Sequence, residues 1–188
     1  MSEPSSELPE STEIELLRQF WWLHDARWYQ AVKARFGQDA ANELNAEVMQ
    51  FVARRVATLY ARCTRLDLSG RDGSAKDVAG VLEALARLMF ADTVRLESTD
   101  FADDGTWDTV VSEHYALKML KASRSLENYV CPCLELRGGW FEGLGVAAAD
   151  SVVECKREGS AVCRFHARLG RDDGQGREHP TTTATADS

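Results

Sequence analysis

The sequence lacks most of the signatures that announce a reaction. It has no glycine-rich phosphate loop, no serine elbow and, with 4 histidines in 188 residues, no His-rich metal box. Nucleotide chemistry and serine hydrolysis therefore have no support. Positive charge is also short, since 22 basic against 30 acidic side chains leave a net charge of -8. That balance repels phosphate backbones, and no block of Lys or Arg interleaved with aromatics offsets it, so nucleic acid is not expected as a partner. No apolar run approaches the length of a membrane span. The opening segment from Met1 to Ser11 is acidic and contains Pro and Ser, unlike a basic-then-apolar leader, and the expected location is cytoplasmic.

What is present suffices for one core. A hydrophobic fraction of 44% can bury a domain without staples, so the 5 cysteines are not needed as a disulfide framework and are expected to be reduced. Residues 12–169 read as a single α+β domain. The acidic, Pro- and Ser-containing residues 1–11 and the Gly-, Asp- and Thr-rich stretch 170–188, which has no apolar anchors, read as disordered ends.

The pattern is helical first and extended later. Thr12 and Glu15 form a capping-box pair, and Leu17, Trp21, His24, Trp28 and Val32 recur at helical spacing up to Phe36, where Gly37 stops the run. Asp39 opens a second helix with the stripe Leu44, Val48, Val52, Val56, Leu59 and Cys63, ending near a turn at Gly70–Gly73. A third begins at Ser74 and turns Val78, Val81, Leu82, Leu85, Leu88 and Met89 inward. From Asp92 the period becomes two, and Asp103-Asp104-Gly105 separates Thr93–Glu97 from Thr106–Val111 as a hairpin. Tyr115 to Asn128 fits either strand or helix. Pro132 suits the first turn of a helix through Leu134, Trp140, Phe141 and Leu144, whose glycines at 138, 139, 143 and 145 imply a broken or closely packed helix. Two strands, Ser151–Lys156 and Ala161–Arg168, complete a small antiparallel sheet on which that helix packs.

The cysteines carry the chemistry. Cys131-Pro132-Cys133 lies at the predicted helix start, where unpaired N–H groups favour thiolates. If Gly159 centres a three-residue loop, Cys155 stands opposite Cys163, with Cβ atoms roughly 4.5–5.5 Å apart. Val153, Ala161 and Phe165 would share that inward face, while Glu154, Lys156, Arg164 and His166 take the outer one. Four thiolates meeting at Cys131, Cys133, Cys155 and Cys163 would make a zinc site, with an iron–sulfur cluster as the alternative. A disulfide between the opposed strands and simple burial of small thiols are the competing readings.

The ending Glu154-Cys155-x3-Gly159-x3-Cys163-x-Phe165 resembles that of the four-vinyl-reductase-type small-molecule-binding domain and of L-2-amino-thiazoline-4-carboxylate hydrolase-like proteins. Leu17 to Gly37, Val130-Cys131-Pro132-Cys133 and Trp140-Phe141-Glu142-Gly143 also resemble an uncharacterised bacterial family with that ending. The first resemblance implies a zinc held by an upstream cysteine, a glutamate and the C-x7-C pair beside a pocket for a small aromatic or apolar molecule. Val152 stands where that glutamate belongs, so the second cysteine of C-P-C or Glu154 would replace it. The second resemblance implies a cysteine nucleophile that opens a cyclic C–N bond.

Trp21, His24 and Trp28 are the candidate ligand-binding residues, on an aromatic first helix whose other side would meet a ligand or a second copy in a homodimer. Glu113-His114 follows a predicted strand, and His114 could serve Cys133 or Cys131 as an acid–base partner, although neighbours on a strand point to opposite faces. The leading expectation is a small-molecule-binding protein stabilised by a cysteine-thiolate metal site. Its alternative is a cysteine-dependent hydrolase of a cyclic amide or amidine.

Overall fold

Gly37 divides the helical half of the chain. In the computed structural model, which describes residues 8–66, 68, 74–122 and 125–170, α1 spans Glu10–Phe36 and α2 spans Gln38–Thr64. Gly37 alone joins them, at φ 91°, where an L side chain would be strained, and its N–H closes on the Lys33 carbonyl. The Thr12–Glu15 capping box does not form, because the helix already starts at Glu10 behind Pro9. Asp39 lies inside the first turn of α2 instead of capping it. Helix α3, Ala75–Phe90, starts where expected and is closed by a capping box: Ser74 Oγ accepts from the Asp77 N–H, and the Asp77 carboxylate accepts from the Ser74 N–H. The turn expected at Gly70–Gly73 and residues 171–188 of the tail expected at 170–188 fall outside the described residues, as do residues 1–7.

The second half is a four-stranded antiparallel sheet with two helices inserted. Strands β1 (Val94–Thr99) and β2 (Thr106–His114) form the expected hairpin. The ambiguous segment becomes helix α4, Tyr115–Ala122, and α5 runs Cys133–Leu144 behind Pro132. Strands β3 (Ala148–Glu154) and β4 (Cys163–Leu169) follow, and the sheet order is β1-β2-β4-β3. The architecture is thus α+β, with the long helices first and the sheet covered on one face by α3 and α5. No helix among the described residues is long and apolar enough to cross a membrane.

Close approach of α5 to α2 organises the core. A Cβ placed on Gly139 would lie 2.9 Å from Ala53 Cβ and closer still to the Gln50 carbonyl oxygen. On Gly143 it would lie 2.8 Å from Ala57 Cβ and closer to the Arg54 oxygen. The two helices therefore meet backbone to backbone along paired small residues, and the expected stripe on α2 packs only in part, through Leu44 and Val56. Val48, Leu59 and Cys63 are exposed, and the buried positions are Ala41, Ala53 and Ala57. Leu82, Leu85, Trp107, Trp140 and Phe141 fill the space between these helices and the sheet.

Two bulges set which side chains reach that interior. The β3–β4 register pairs Glu154 with Arg164, as expected, but the connection is a 3-10 turn, Lys156–Glu158, closed by Gly159 at φ 101°. A bulge between Val152 and Glu154 turns Val153 out, and it is 58% exposed, contrary to the inward position expected of it. Phe165 and Cys163 remain buried. On β2, the register jumps from Leu96↔Val111 to Arg95↔Glu113, leaving Ser112 unpaired with β1.

Candidate functional site

That second bulge decides the place of His114. Strict alternation would put His114 on the sheet face opposite Val111. With one extra residue in the strand, His114 pairs with Val94 while Val111 pairs with Leu96, two β1 residues on the same face. Val94 and Leu96 both pack on the small interior cluster around Val111, Cys163 and Phe165, and His114 shares that side. Glu113, paired with Arg95, stays on the other face, so the expected Glu113-His114 pair is not brought together, and His114 alone joins the thiols through a bulge that sequence alternation cannot foresee.

Cys131 and Cys133 meet it from the other side. Cys133 is the first residue of α5, and Cys131 ends the loop that enters it. Asn42 of α2 holds this loop. Its Nδ2 donates to the Asn128 carbonyl at 2.8 Å, its Oδ1 accepts from the Val130 N–H at 3.1 Å, and the same oxygen accepts from Tyr29 Oη at 2.9 Å. Tyr129 is buried edge-on against Tyr29, with ring centroids 5.6 Å apart. Fixed in this way, Cys131 Sγ lies 2.8 Å from Cys133 Sγ and 3.6 Å from His114 Nε2, and Cys133 Sγ lies 3.5 Å from the same nitrogen. The three donor atoms all lie within 4.8 Å of one another.

The two thiols share their protons unequally. The Cys131 thiol is lowered to about 5, chiefly because its thiolate accepts a hydrogen bond from the Cys133 S–H, with His114 helping and burial opposing. Cys133 is pushed well above an ordinary thiol by that same bond and by burial. Cys163 is raised to about 11 by burial, although the Lys156 N–H donates to its sulfur at 3.4 Å. Nucleophilic character thus falls on Cys131 in preference to Cys133. Of the four cysteines singled out by sequence, the structure groups Cys131 and Cys133 with His114. Cys163 and Cys155 pack beside Cys133 in the adjoining apolar cluster, outside the set of mutually close donors.

This group forms part of the wall of a cavity of about 1130 Å³ lined by residues of all five helices and of the sheet. Apolar side chains including Trp21, Met49, Phe90, Leu96 and Phe165 line most of it. Helix α1 turns Trp22, Asp25 and Tyr29 toward this interior, and burial raises the Asp25 carboxyl above its usual range. Trp21 lines the cavity. His24 and Trp28 do not; Trp28 is 46% exposed, and His24 stacks on Phe20 on the outer side of the helix. The face that the expected stripe Leu17, Trp21, His24 and Trp28 defines is rotated by about one position from the face that packs. With aromatic residues on both sides of α1, composition could not distinguish them.

Asn42 and Arg137 escaped the sequence reading. An Asn inside a helix and an Arg in a predicted amphipathic segment are ordinarily solvated, and only the tertiary position marks them. Arg137 is 2% exposed and is paired with Asp150 of β3 through Nε and through Nη2, the latter at 3.1 Å.

No protein-family model matches the chain, and no curated protein does. The resemblances noted in the sequence therefore gain no family match. Among solved structures, the chain is similar to a trafficking protein particle complex subunit 3 from Naegleria fowleri covalently bound to palmitic acid, at 20% identity and a TM-score of 0.51. The alignment covers 86% of this chain and 98% of that one, and at this identity the likeness shows the fold.

Proposed function

We propose that the protein binds a small apolar or aromatic molecule in the cavity beneath α1, and that His114, Cys131 and Cys133 hold a zinc ion at its wall. The observation that carries this reading is the position of one imidazole and two thiols, mutually within 4.8 Å, on the lining of a largely apolar cavity of about 1130 Å³. With Zn–S near 2.3 Å and Zn–N near 2.05 Å, tetrahedral geometry sets S···N edges of about 3.6 Å and an S···S edge of about 3.8 Å. The two N···S separations, 3.5 and 3.6 Å, match the first value. The sulfurs, at 2.8 Å, would open by about 1 Å on binding. Soft thiolate and imidazole donors favour zinc over magnesium or calcium. An iron–sulfur cluster on thiolates alone would need Cys155 and Cys163 brought into the group.

Metal analysis of the purified chain tests this. About one equivalent of zinc in the wild type and little in Cys131→Ser and His114→Ala is expected, whereas wild-type protein loaded with zinc and dialysed free of it without change in melting temperature would refute the metal centre. Binding of a neutral fluorescent naphthylamine tests the cavity separately.

A second reading is supported by the lowered Cys131 thiol and the imidazole 3.6 Å from it. In metal-free protein this pair has the character of an activated nucleophile and its base, as an acyl transfer or the opening of a cyclic amide requires. The similar trafficking subunit is covalently bound to palmitic acid, and a thiol-borne acyl group here would be seen as a hydroxylamine-sensitive mass adduct lost in Cys131→Ser. That neighbour is also a subunit of a complex. Leu16 and Phe20 are exposed apolar side chains of α1 outside the cavity lining and would suit a second copy or another subunit.

A further inference from the structure

We propose that the molecule taken into the cavity carries a carboxylate, and that Arg137 receives it. This rests on the reading of the cavity as a small-molecule site and adds the chemical class of the ligand. Three observations lead to it. Arg137 lines the cavity one helical turn after Cys133, and among the described lining residues it is the one fully buried cation. Its Nε and Nη2 are satisfied by Asp150, but Nη1 is buried and has no acceptor. The guanidinium sits over the Phe165 ring, 4.8 Å from the centroid, with Phe141 at 5.9 Å, so its immediate surroundings are aromatic.

The second observation is an imbalance across the whole wall. Trp22 Nε1 and Trp140 Nε1 are likewise buried without partners and belong to lining residues, whereas the unpartnered Trp107 Nε1 does not line the cavity. The unpartnered buried oxygens, on Gln38, Ser98 and Thr109, belong to residues that do not line it. The wall is therefore short of acceptors. A buried N–H left without an acceptor carries a desolvation cost, and a bound molecule rich in acceptors removes it. A carboxylate offers two oxygens and only acceptors, and it fits the planar fork of a guanidinium.

The third observation is orientation. The α1 wall contributes two acidic residues, Glu15 and Asp25, and two basic ones, Arg18 and Arg27, so its formal charge is balanced. On the α5 wall, Asp150 engages one edge of Arg137 and leaves the other to a ligand. The anionic end is thus drawn to Arg137 and the metal-ligand side, and the apolar remainder to Trp21, Met49 and Phe90. An aryl or alkyl carboxylic acid has this shape.

The test uses the full chain, a neutral fluorescent naphthylamine as reporter, and dodecanoate against dodecan-1-ol as competitors at pH 8. Dodecanoate is expected to displace the reporter at a concentration at least tenfold lower than the alcohol. Arg137→Met combined with Asp150→Leu removes the buried pair without leaving either charge alone. It should abolish the preference and leave affinity for the alcohol. Arg137→Lys, which keeps the charge but not the fork, should reduce the preference, and it serves if the double variant does not fold. Equal displacement by acid and alcohol in wild-type protein, with the reporter bound, would overturn the carboxylate assignment alone. No binding of the reporter would overturn the cavity reading together with it.

Discussion

Two adjacent glycines in α5 should respond to the same substitution with opposite signs. Gly138 has open space where a Cβ would go, and replacing glycine by alanine in a helix interior gains about 1 kcal/mol from reduced backbone freedom. Gly138→Ala should therefore raise the melting temperature, by about 2–4 °C for a chain of this size. Gly139→Ala carries the same helical gain, but its Cβ would stand 2.9 Å from Ala53 Cβ, while ordinary contact begins at 3.4 Å. The Gln50 carbonyl oxygen is closer still and belongs to backbone that cannot rotate away. Overpacking of this kind costs about 1–3 kcal/mol, and contact with backbone places it toward the upper end. After the helical gain is subtracted, a net loss of about 2 kcal/mol is expected, and Gly143→Ala against Ala57 and Arg54 should match it.

The measurement is urea or thermal unfolding followed by far-ultraviolet circular dichroism on the three single variants. It also reports on the site, because Cys133, Arg137 and Trp140 occupy the adjacent face of α5 and move with it. Gly139→Ala should accordingly weaken zinc retention, while Gly138→Ala leaves it unchanged. If Gly139→Ala and Gly143→Ala melt at or above the wild-type temperature, α5 is not seated on α2 at this distance. The positions argued for Cys133 and Arg137 would then fall as well.

Two further outcomes follow from the loop and the thiols. In metal-free protein, alkylation of Cys131 should persist as pH falls from 8 toward about 5, since its thiolate is protonated only near that value, whereas a thiol with an ordinary pKa of about 8.5 stops reacting well above it. Because the folded value is depressed, the thiolate's contribution to stability is present at high pH and is lost as pH falls through about 5; mass mapping that shows Cys131 reacting no faster than Cys63 at pH 6 would refute it. Asn42→Ala removes the acceptor of Tyr29 and Val130 and the donor to Asn128, which should cost about 1–3 kcal/mol and reduce zinc retention, while an unchanged protein on both measures would show that the loop holds itself.

The parts of this structure visible in the sequence are those set by local chemistry. Gly37 as a helix stop, Ser74 as a helix start, Asp103-Asp104-Gly105 as a hairpin turn and Pro132 before α5 each act through a few neighbouring residues. The close packing implied by the glycines of α5 was also legible. What was not legible depends on shape across the chain. The packed face of α2 is its alanines because α5 presents glycines, and nothing local marks Ala53 above Val48. His114 reaches the interior through a bulge at Ser112, and Val153 leaves it through another, and neither irregularity has a sequence marker. Arg137 reads as a surface cation until Asp150 is seen 13 positions away in β3.

The arrangement of the thiols bears on what an ion would do. A closed structural zinc site takes four protein ligands, and three leave a position for water or a bound molecule. Cys163, which pairs with Val111 and packs in the cluster that includes Cys133, is a candidate fourth sulfur, yet burial raises its thiol to about 11 and the Lys156 N–H already donates to it. Recruiting it would require a second costly deprotonation in an apolar cluster. His114, Cys131 and Cys133 need less. Cys131 is already a thiolate at neutral pH, and an ion replaces the proton that holds Cys133 to it. Two thiolates and one imidazole neutralise the charge of a divalent zinc, so the fourth position would open to the cavity without a charge that needs solvating. Such a centre would hold the walls of the cavity together and could also engage an acceptor atom of its occupant.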